Sequence, residues 1–314
     1  MNELIISDQS RALTAQKALS ADLFSRFISF LDAKPKTVET YTRALRQLFN
    51  YLSLNGSLQN PTREDIVAFR EELKASGHKP TTVTNYINAT RLFFQWTEQE
   101  GLYPNIAAHI KGAKLDRDFK KGYLTSRQVK AVLEKVERDS LHGLRDYAML
   151  VLMVTGGLRT IEVSRANIGD LQTAGDNTVL YVQGKGRDEK TEYIKIDAKV
   201  EEALRYYLKA RGENNPEAPL FASLSNNSRG QRMTTRAISG VVKEHLREAG
   251  YDSDKLTAHS LRHTAVTLSL LAGKDITEVQ QFARHANIAT TMVYNHALDK
   301  AKNGCSEAIA KAIF

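Results

Sequence analysis

Residues 37–54 (TVETYTRALRQLFNYLSL) and 82–100 (TVTNYINATRLFFQWTEQE) place apolar side chains at spacings of three and four, the period of a helix that buries one face. Two amphipathic helices are expected there. Between them, Pro61-Thr62-Arg63-Glu64-Asp65 opens a third helix, with Thr62 as its cap and Asp65 at the positive helix start. Residues 22–105 are therefore expected to form an all-helical domain, preceded by an N-terminal extension, residues 1–21. The flanking helices open alike, Lys36-Thr37-Val38-Glu39-Thr40-Tyr41 and Thr81-Thr82-Val83-Thr84-Asn85-Tyr86, which reads as related capping rather than as a repeat array.

After Pro104 the stretch IAAHIKGAKLDRDFKKGY carries two glycines, several lysines and little apolar periodicity, and residues 106–123 are expected to be an interdomain linker. A chain of 314 residues exceeds what one core usually serves, so a second, larger domain is expected over residues 124–314. Thr125 starts a helix there, and LRDYAMLVLMVTGG reads as a helix buried in the second core. Residues 178–183 and 191–196 read as strands separated by a glycine-flanked, hairpin-like turn, Gly184–Lys190. Helices are expected again at 198–211, 234–249, 260–272 and 275–284, and the terminal SEAIAKAIF is amphipathic but too short to be stable without a docking surface. The fold class is mainly α, with a small antiparallel β-sheet in the second domain.

Composition narrows the function. With 42% hydrophobic and 25% charged residues, collagen-like, mucin-like and disordered chains are excluded. A single cysteine, Cys305, rules out an intramolecular disulfide and a Cys-based zinc site and fits a reducing compartment. No signal-peptide pattern opens the chain, and no apolar run approaches the roughly 18 residues that read as a membrane span. A soluble cytoplasmic protein without a membrane partner is expected. Lys and Arg number 44 against 36 Asp and Glu, a net charge of +8 and a pI near 9.4, which favours a polyanionic partner such as nucleic acid. The excess is spread over both halves, so that, if DNA is the partner, a clamp around a duplex is expected rather than a basic arm.

Four short segments hold residues able to do chemistry. His259-Ser260-Leu261-Arg262-His263, at the start of an expected helix, gathers two imidazoles and a guanidinium where backbone N–H groups welcome an anion. It also suits a capping and packing cluster. A zinc site is disfavoured, because no Glu lies between the histidines and Arg262 repels a cation. In Thr155-Gly156-Gly157-Leu158-Arg159-Thr160-Ile161-Glu162, Arg159 sits at a glycine-loosened junction, with Glu162 one turn on to fix its guanidinium. A surface ion pair is the plainer alternative. Lys185 has room in the glycine-flanked turn to approach a ligand, or it is simply solvated. Tyr294, read as following a short helical segment, lies between His285 and His296, and any single tyrosine is more often a packing residue than a nucleophile.

Taken in order, Arg, Lys, His-x-x-Arg, His and Tyr resemble the tyrosine recombinase family, the Xer-type and phage-integrase-type enzymes that cut and rejoin DNA. The likeness covers both expected domains, and its most specific piece is HSLRH followed by ARHANIATTMVYNH. It implies that Arg159 and Arg262 clamp the phosphate, Lys185 is the hairpin lysine and general acid, His259 and His285 are the active-site histidines, and Tyr294 is the nucleophile. His259 is then expected to assist proton removal from Tyr294, with Glu162 and His263 in support. The resemblance further implies a two-domain C-shaped clamp with a helical core-binding domain, a covalent 3′-phosphotyrosine intermediate, and no cofactor or metal. The partners it implies are double-stranded DNA with specific recombination sites and a homotetramer on two such sites, with or without a second recombinase or accessory protein. The sequence contains no GxxxxGK[ST] loop and no obvious acidic metal cluster. The alternatives are a catalytically inactive DNA-binding regulator of the same fold, which would have no need of the whole set, and a type IB topoisomerase-like enzyme, which would share the tyrosine chemistry although the closer likeness is to recombinases. Two departures stand out: Gly156-Gly157 where one glycine is usual, and Arg284 where glycine is usual before the histidine. Arg284 is expected to point to solvent.

Overall fold

The computed structural model describes residues 21–114, 122–184, 186–302 and 305–313. The chain divides into two compact units, Met1–Arg117 and Asp118–Phe314.

In the first unit α1 (Ala21–Phe30), α2 (Pro35–Leu54), α3 (Arg63–Ala75) and α4 (Pro80–Gln99) surround one core. Pro35 and Pro80 occupy the first helical positions, where a missing N–H costs nothing, and Thr62 and Asp65 close a reciprocal capping box on α3. Leu45, Leu48 and Leu52 from α2 meet Ile66, Phe69, Phe93 and Phe94 at full burial, with Phe27 and Trp96 packed edge-on and tilted against Phe93. The segment beyond Pro104 departs from the linker expectation. Ala107 and Ile110 are buried in this core, anchored as Arg63 and Arg70 donate to the carbonyls of Ala108 and Lys111. Too few apolar residues lie there for periodicity to reveal it.

The second unit begins its described helices with α5 (Ser126–Glu134), capped reciprocally by Thr125 and Gln128, and α6 (Leu141–Gly156). A short α7 (Thr160–Arg165) leads to a three-stranded antiparallel sheet of β1 (Leu171–Ala174), β2 (Asn177–Val182) and β3 (Glu192–Lys195), ordered β1-β2-β3. Leu171 pairs with Leu180, and Val182 with Glu192. Strand β1 escapes sequence reading because its four residues, LQTA, are too short to alternate. Helices α8 (Ala198–Arg211), α9 (Thr235–Glu248), α10 (Ala258–Leu271), α11 (Ile276–Ala283), α12 (Ala289–Lys302) and α13 (Cys305–Ile313) follow. The main core joins Met149, Leu152 and Met153 of α6 to Leu180, Leu204, Tyr207, Phe221 and Val242. A smaller cluster unites Val266 and Leu270 of α10, Val279 and Ala283 of α11, and Tyr294 and Leu298 of α12. Tyr294 therefore lies inside a helix, not after one. On α13, Ile309 and Ile313 are exposed. Among the described residues no helix is long and apolar enough to cross a membrane.

Candidate active site

The site forms where the ends of α6 and α11 meet the starts of α7 and α10. Gly156 closes α6, and a Cβ there would stand 2.5 Å from Cδ1 of Ile194 on β3. Gly157 caps the helix in the left-handed region, φ 57°, and a Cβ would lie 3.0 Å from the Phe282 ring. A side chain at either position would have to shift a neighbour, and the backbone conformation of the second favours glycine. The two glycines turn the chain so that Arg159 becomes the residue flanking α7, with buried Glu162 one turn on.

Arg159 donates from Nη1 to Oε1 of Glu162 at 2.8 Å, and its backbone N–H donates to Oε2 at 2.8 Å. Its Nη2 reaches the carbonyl of Arg284 at 3.4 Å. Arg262, on α10, is 1% exposed and donates to the carbonyls of Gly157, at 2.6 Å, and Ala283. These last carbonyls of α6 and α11 carry the negative end of each helix, which draws the guanidiniums. Burial first, then Arg159 and Arg284, lower the Arg262 pKa to about 9, against the pull of Glu162 and Tyr294. It remains a cation at neutral pH.

Arg284 corrects the solvent expectation. Its side chain is 5% exposed, and Nη2 donates to Oε2 of Glu162 at 3.0 Å and to the Gly157 carbonyl at 3.1 Å. Its backbone caps α11 in the left-handed region, φ 53°, a conformation costing a residue with a Cβ roughly 1–2 kcal/mol. Glu162 has no solvent exposure. Burial pushes its pKa up, but Arg284, Arg159 and the Arg159 amide outweigh this and hold it below the ordinary carboxylate value. Three guanidiniums around one carboxylate leave a positively charged pocket, suited to an anion.

The Tyr294 hydroxyl hydrogen-bonds Nδ1 of His263, and the phenol is 5% exposed. Burial drives its pKa up to about 12, although Arg262 and Arg159 pull it down. His263, expected only in support, is thus hydrogen-bonded to the phenol, and the ring of His259, the expected proton acceptor, packs edge to face on that of His263 with centroids 4.3 Å apart. The HSLRH spacing puts both histidines on one face of α10, and the tertiary placement of α12 brings the tyrosine to that face. The His285 ring stacks 6.3 Å from that of Tyr294, and its Nδ1 hydrogen-bonds the Thr291 hydroxyl at 2.9 Å. Burial, then Arg262, Arg159, Arg284 and His259, lower its pKa to about 4, so it is neutral at pH 7. Arg159, Glu162, His259, Arg262, His263, His285 and Tyr294 are thereby brought together. Lys185 lies outside the described residues. Arg284 is the member that sequence reasoning missed; its signal was a bulky cation where glycine is usual. Among the described residues, no group of three or more His, Cys, Asp or Glu is arranged to hold a metal ion.

Comparison with known proteins gives the family of the chain. The model of the phage integrase family matches residues 122–301, and that of the phage integrase N-terminal SAM-like domain matches residues 23–101. The tyrosine recombinase XerC of Herpetosiphon aurantiacus is 31% identical over 83% of this chain and 84% of its own length. The tyrosine recombinase XerD of Proteus mirabilis is 30% identical over 94% of this chain and 89% of its own. Among solved structures, the XerH recombinase in a post-cleavage complex with palindromic difH substrate superposes with a TM-score of 0.70, at 21% identity, covering 92% of this chain and 85% of that one. A lambda integrase dimer on a COC′ core site gives 0.72, at 18% identity, covering 91% and 79%. The chain belongs to the phage integrase family: it is a site-specific tyrosine recombinase, an enzyme of DNA strand exchange.

Proposed function

We propose that this recombinase cuts and rejoins duplex DNA at specific sites with Tyr294 as its nucleophile, Arg159 and Arg262 as the phosphate clamp, and Lys185, His259 and His285 as the remaining catalytic groups. The observation that carries this reading is that Tyr294, on α12, hydrogen-bonds His263 and stacks on His285 within the electrostatic reach of Arg262, on α10, and of Arg159, which caps α7 and pairs with Glu162. A phosphodiester attacked by a phenolic oxygen gathers charge on its non-bridging oxygens, and guanidiniums stabilise that charge without giving up their protons. Losing one preorganised donor of this kind typically slows a reaction by about a hundredfold to a thousandfold.

In the reaction, the Tyr294 oxygen bonds to phosphorus as the bond to the 5′ oxygen breaks, giving a 3′-phosphotyrosine and a free 5′ hydroxyl. The phenolic proton passes to the imidazole pair His259–His263, and the departing 5′ oxygen takes a proton from Lys185. A 5′ hydroxyl of a second duplex then reverses the step, releasing Tyr294 and joining the strands. The phosphodiester energy is kept in the covalent intermediate, so no high-energy cofactor enters. Neutral His285 donates a hydrogen bond to the transition state rather than a charge.

The wider assembly follows the same reading: four copies on two DNA sites, with α13 and its exposed Ile309 and Ile313 docking on a neighbouring copy, acting in the cytoplasm. Integration, excision and dimer resolution all use this chemistry. The test is to isolate protein covalently bound to DNA from cells under denaturing conditions and sequence the attached DNA, for wild type and Tyr294→Phe. Tyrosine-dependent adducts enriched at defined sites support the reading, and adducts equally abundant in the variant refute it.

A further inference from the structure

We propose that Arg284 is a positioning residue for strand exchange: by occupying one oxygen of Glu162 and the Gly157 carbonyl, it holds the α6–α7 junction so that Arg159 keeps donors free for the scissile phosphate. This rests on the reading of Arg159 as a phosphate-clamping residue.

The two departures from the family's pattern meet in space. Gly156-Gly157 ends α6, and Arg284 ends α11, 127 residues beyond Gly157, with its guanidinium against the Gly157 carbonyl at 3.1 Å. The same guanidinium donates to Phe282 O at 2.8 Å and to Glu162 Oε2 at 3.0 Å. Glu162 therefore divides its oxygens, Oε1 to Arg159 and Oε2 to Arg284 and the Arg159 amide. A buried carboxylate without Arg284 would draw the Arg159 fork onto both its oxygens, in the bidentate pairing that guanidinium and carboxylate favour. A second Arg159 donor, beyond the Nη1 already on Glu162, would then be turned away from a phosphate.

Exposure separates the roles. The Arg159 side chain is 26% exposed and can meet a ligand, whereas that of Arg284 is 5% exposed and lies behind it. The backbone argues that the side chain is retained for use: at φ 53°, glycine would relieve the left-handed conformation, yet arginine stands there. Its carbonyl also receives Nη2 of Arg159, so both halves of the residue act on the same partner pair.

The experiment measures the rate of Tyr294 adduct formation and the half-saturating DNA concentration, on a duplex carrying a sequence recovered with the cellular adducts. Wild type is compared with Arg284→Met, Arg284→Lys, Arg284→Gly, Glu162→Gln and the Glu162→Gln/Arg284→Met double variant. Arg284→Met is expected to slow adduct formation at saturating DNA by about tenfold or more, with half-saturation moved less than about twofold. Arg284→Lys, which keeps a cation on Glu162, recovers part of the rate. The double variant is no slower than Arg284→Met, because no carboxylate remains to capture Arg159. Arg284→Gly, free of backbone strain, folds and is as slow as Arg284→Met. A wild-type rate in Arg284→Met and Arg284→Gly would overturn the role, as would equal losses in rate and DNA affinity, the signature of a direct phosphate contact. Absence of a Tyr294 adduct from wild type itself would overturn the reading of the site, and this role with it.

Discussion

The Tyr294 hydroxyl and Nδ1 of His263 are hydrogen-bonded across 31 residues of sequence, within a cluster formed by α10, α11 and α12. The nucleophile of the proposed reaction is thus held neutral and buried, in a field of guanidiniums that favours its anion. Burial prevails, and the phenol stands near 12. The positive field becomes decisive for chemistry only once a phosphate is present to receive the attack.

A phenol raised from about 10 to about 12 makes the folded state resist deprotonation that the unfolded chain accepts. The stability so contributed is fully present below pH 10 and is lost as pH rises from there through 12. Urea unfolding at a series of alkaline pH values is expected to show a steeper decline for wild type than for Tyr294→Phe. Parallel declines would contradict the burial assigned to the phenol.

His285 gives the opposite dependence. Its imidazole is lowered to about 4, so between about 4 and 6.5 the unfolded chain binds a proton that the folded chain refuses. Stability therefore falls as pH falls through that window. His285→Gln is expected to flatten the profile from pH 7 to 4.5 in thermal unfolding, and NMR of the imidazole should show the ring neutral down to about pH 4.

Glu162 is the single carboxylate among three guanidiniums, and removing one partner from a buried ionic cluster typically costs about 3–5 kcal/mol. Glu162→Ala is expected to lose stability in that range by urea unfolding. A loss below about 1 kcal/mol, the scale of a surface pair, would contradict its place in the buried cluster.

Much of this was legible in the sequence, and for identifiable reasons. Helices with an apolar stripe and a local start signal, a proline in the first turn of α2 and α4 or the Asp197 cap of α8, depend on local periodicity and local chemistry. Strands β2 and β3 flank a glycine-rich turn, the plainest hairpin signal. What stayed hidden depended on distant partners. Strand β1 exists because β2 pairs with it, Ala107 and Ile110 are core only because the first unit closes over them, and α12 is apolar on too narrow a face to announce itself. Arg284 looked solvent-bound because nothing near it in sequence could neutralise a buried guanidinium; its partner, Glu162, lies 122 residues away. The hydrogen bond between His263 and Tyr294 is likewise tertiary.

Arg262 joins the last carbonyls of α6 and α11. Arg262→Lys keeps the charge but cannot reproduce a planar fork reaching two carbonyls. It is expected to slow adduct formation by about a hundredfold or more while duplex binding, measured by fluorescence anisotropy, changes by much less. Equal losses in both would make Arg262 a binding residue only.

The most direct test of the account is to locate the covalent bond. Adducts recovered under denaturing conditions would be digested with nuclease and trypsin and sequenced by mass spectrometry. The tryptic peptide from His285 to Lys300 contains one tyrosine, Tyr294, so a residual phosphonucleotide there can be assigned without ambiguity. The expected result is that modification on Tyr294 and its disappearance in Tyr294→Phe. A phosphonucleotide carried by any other residue would contradict the account.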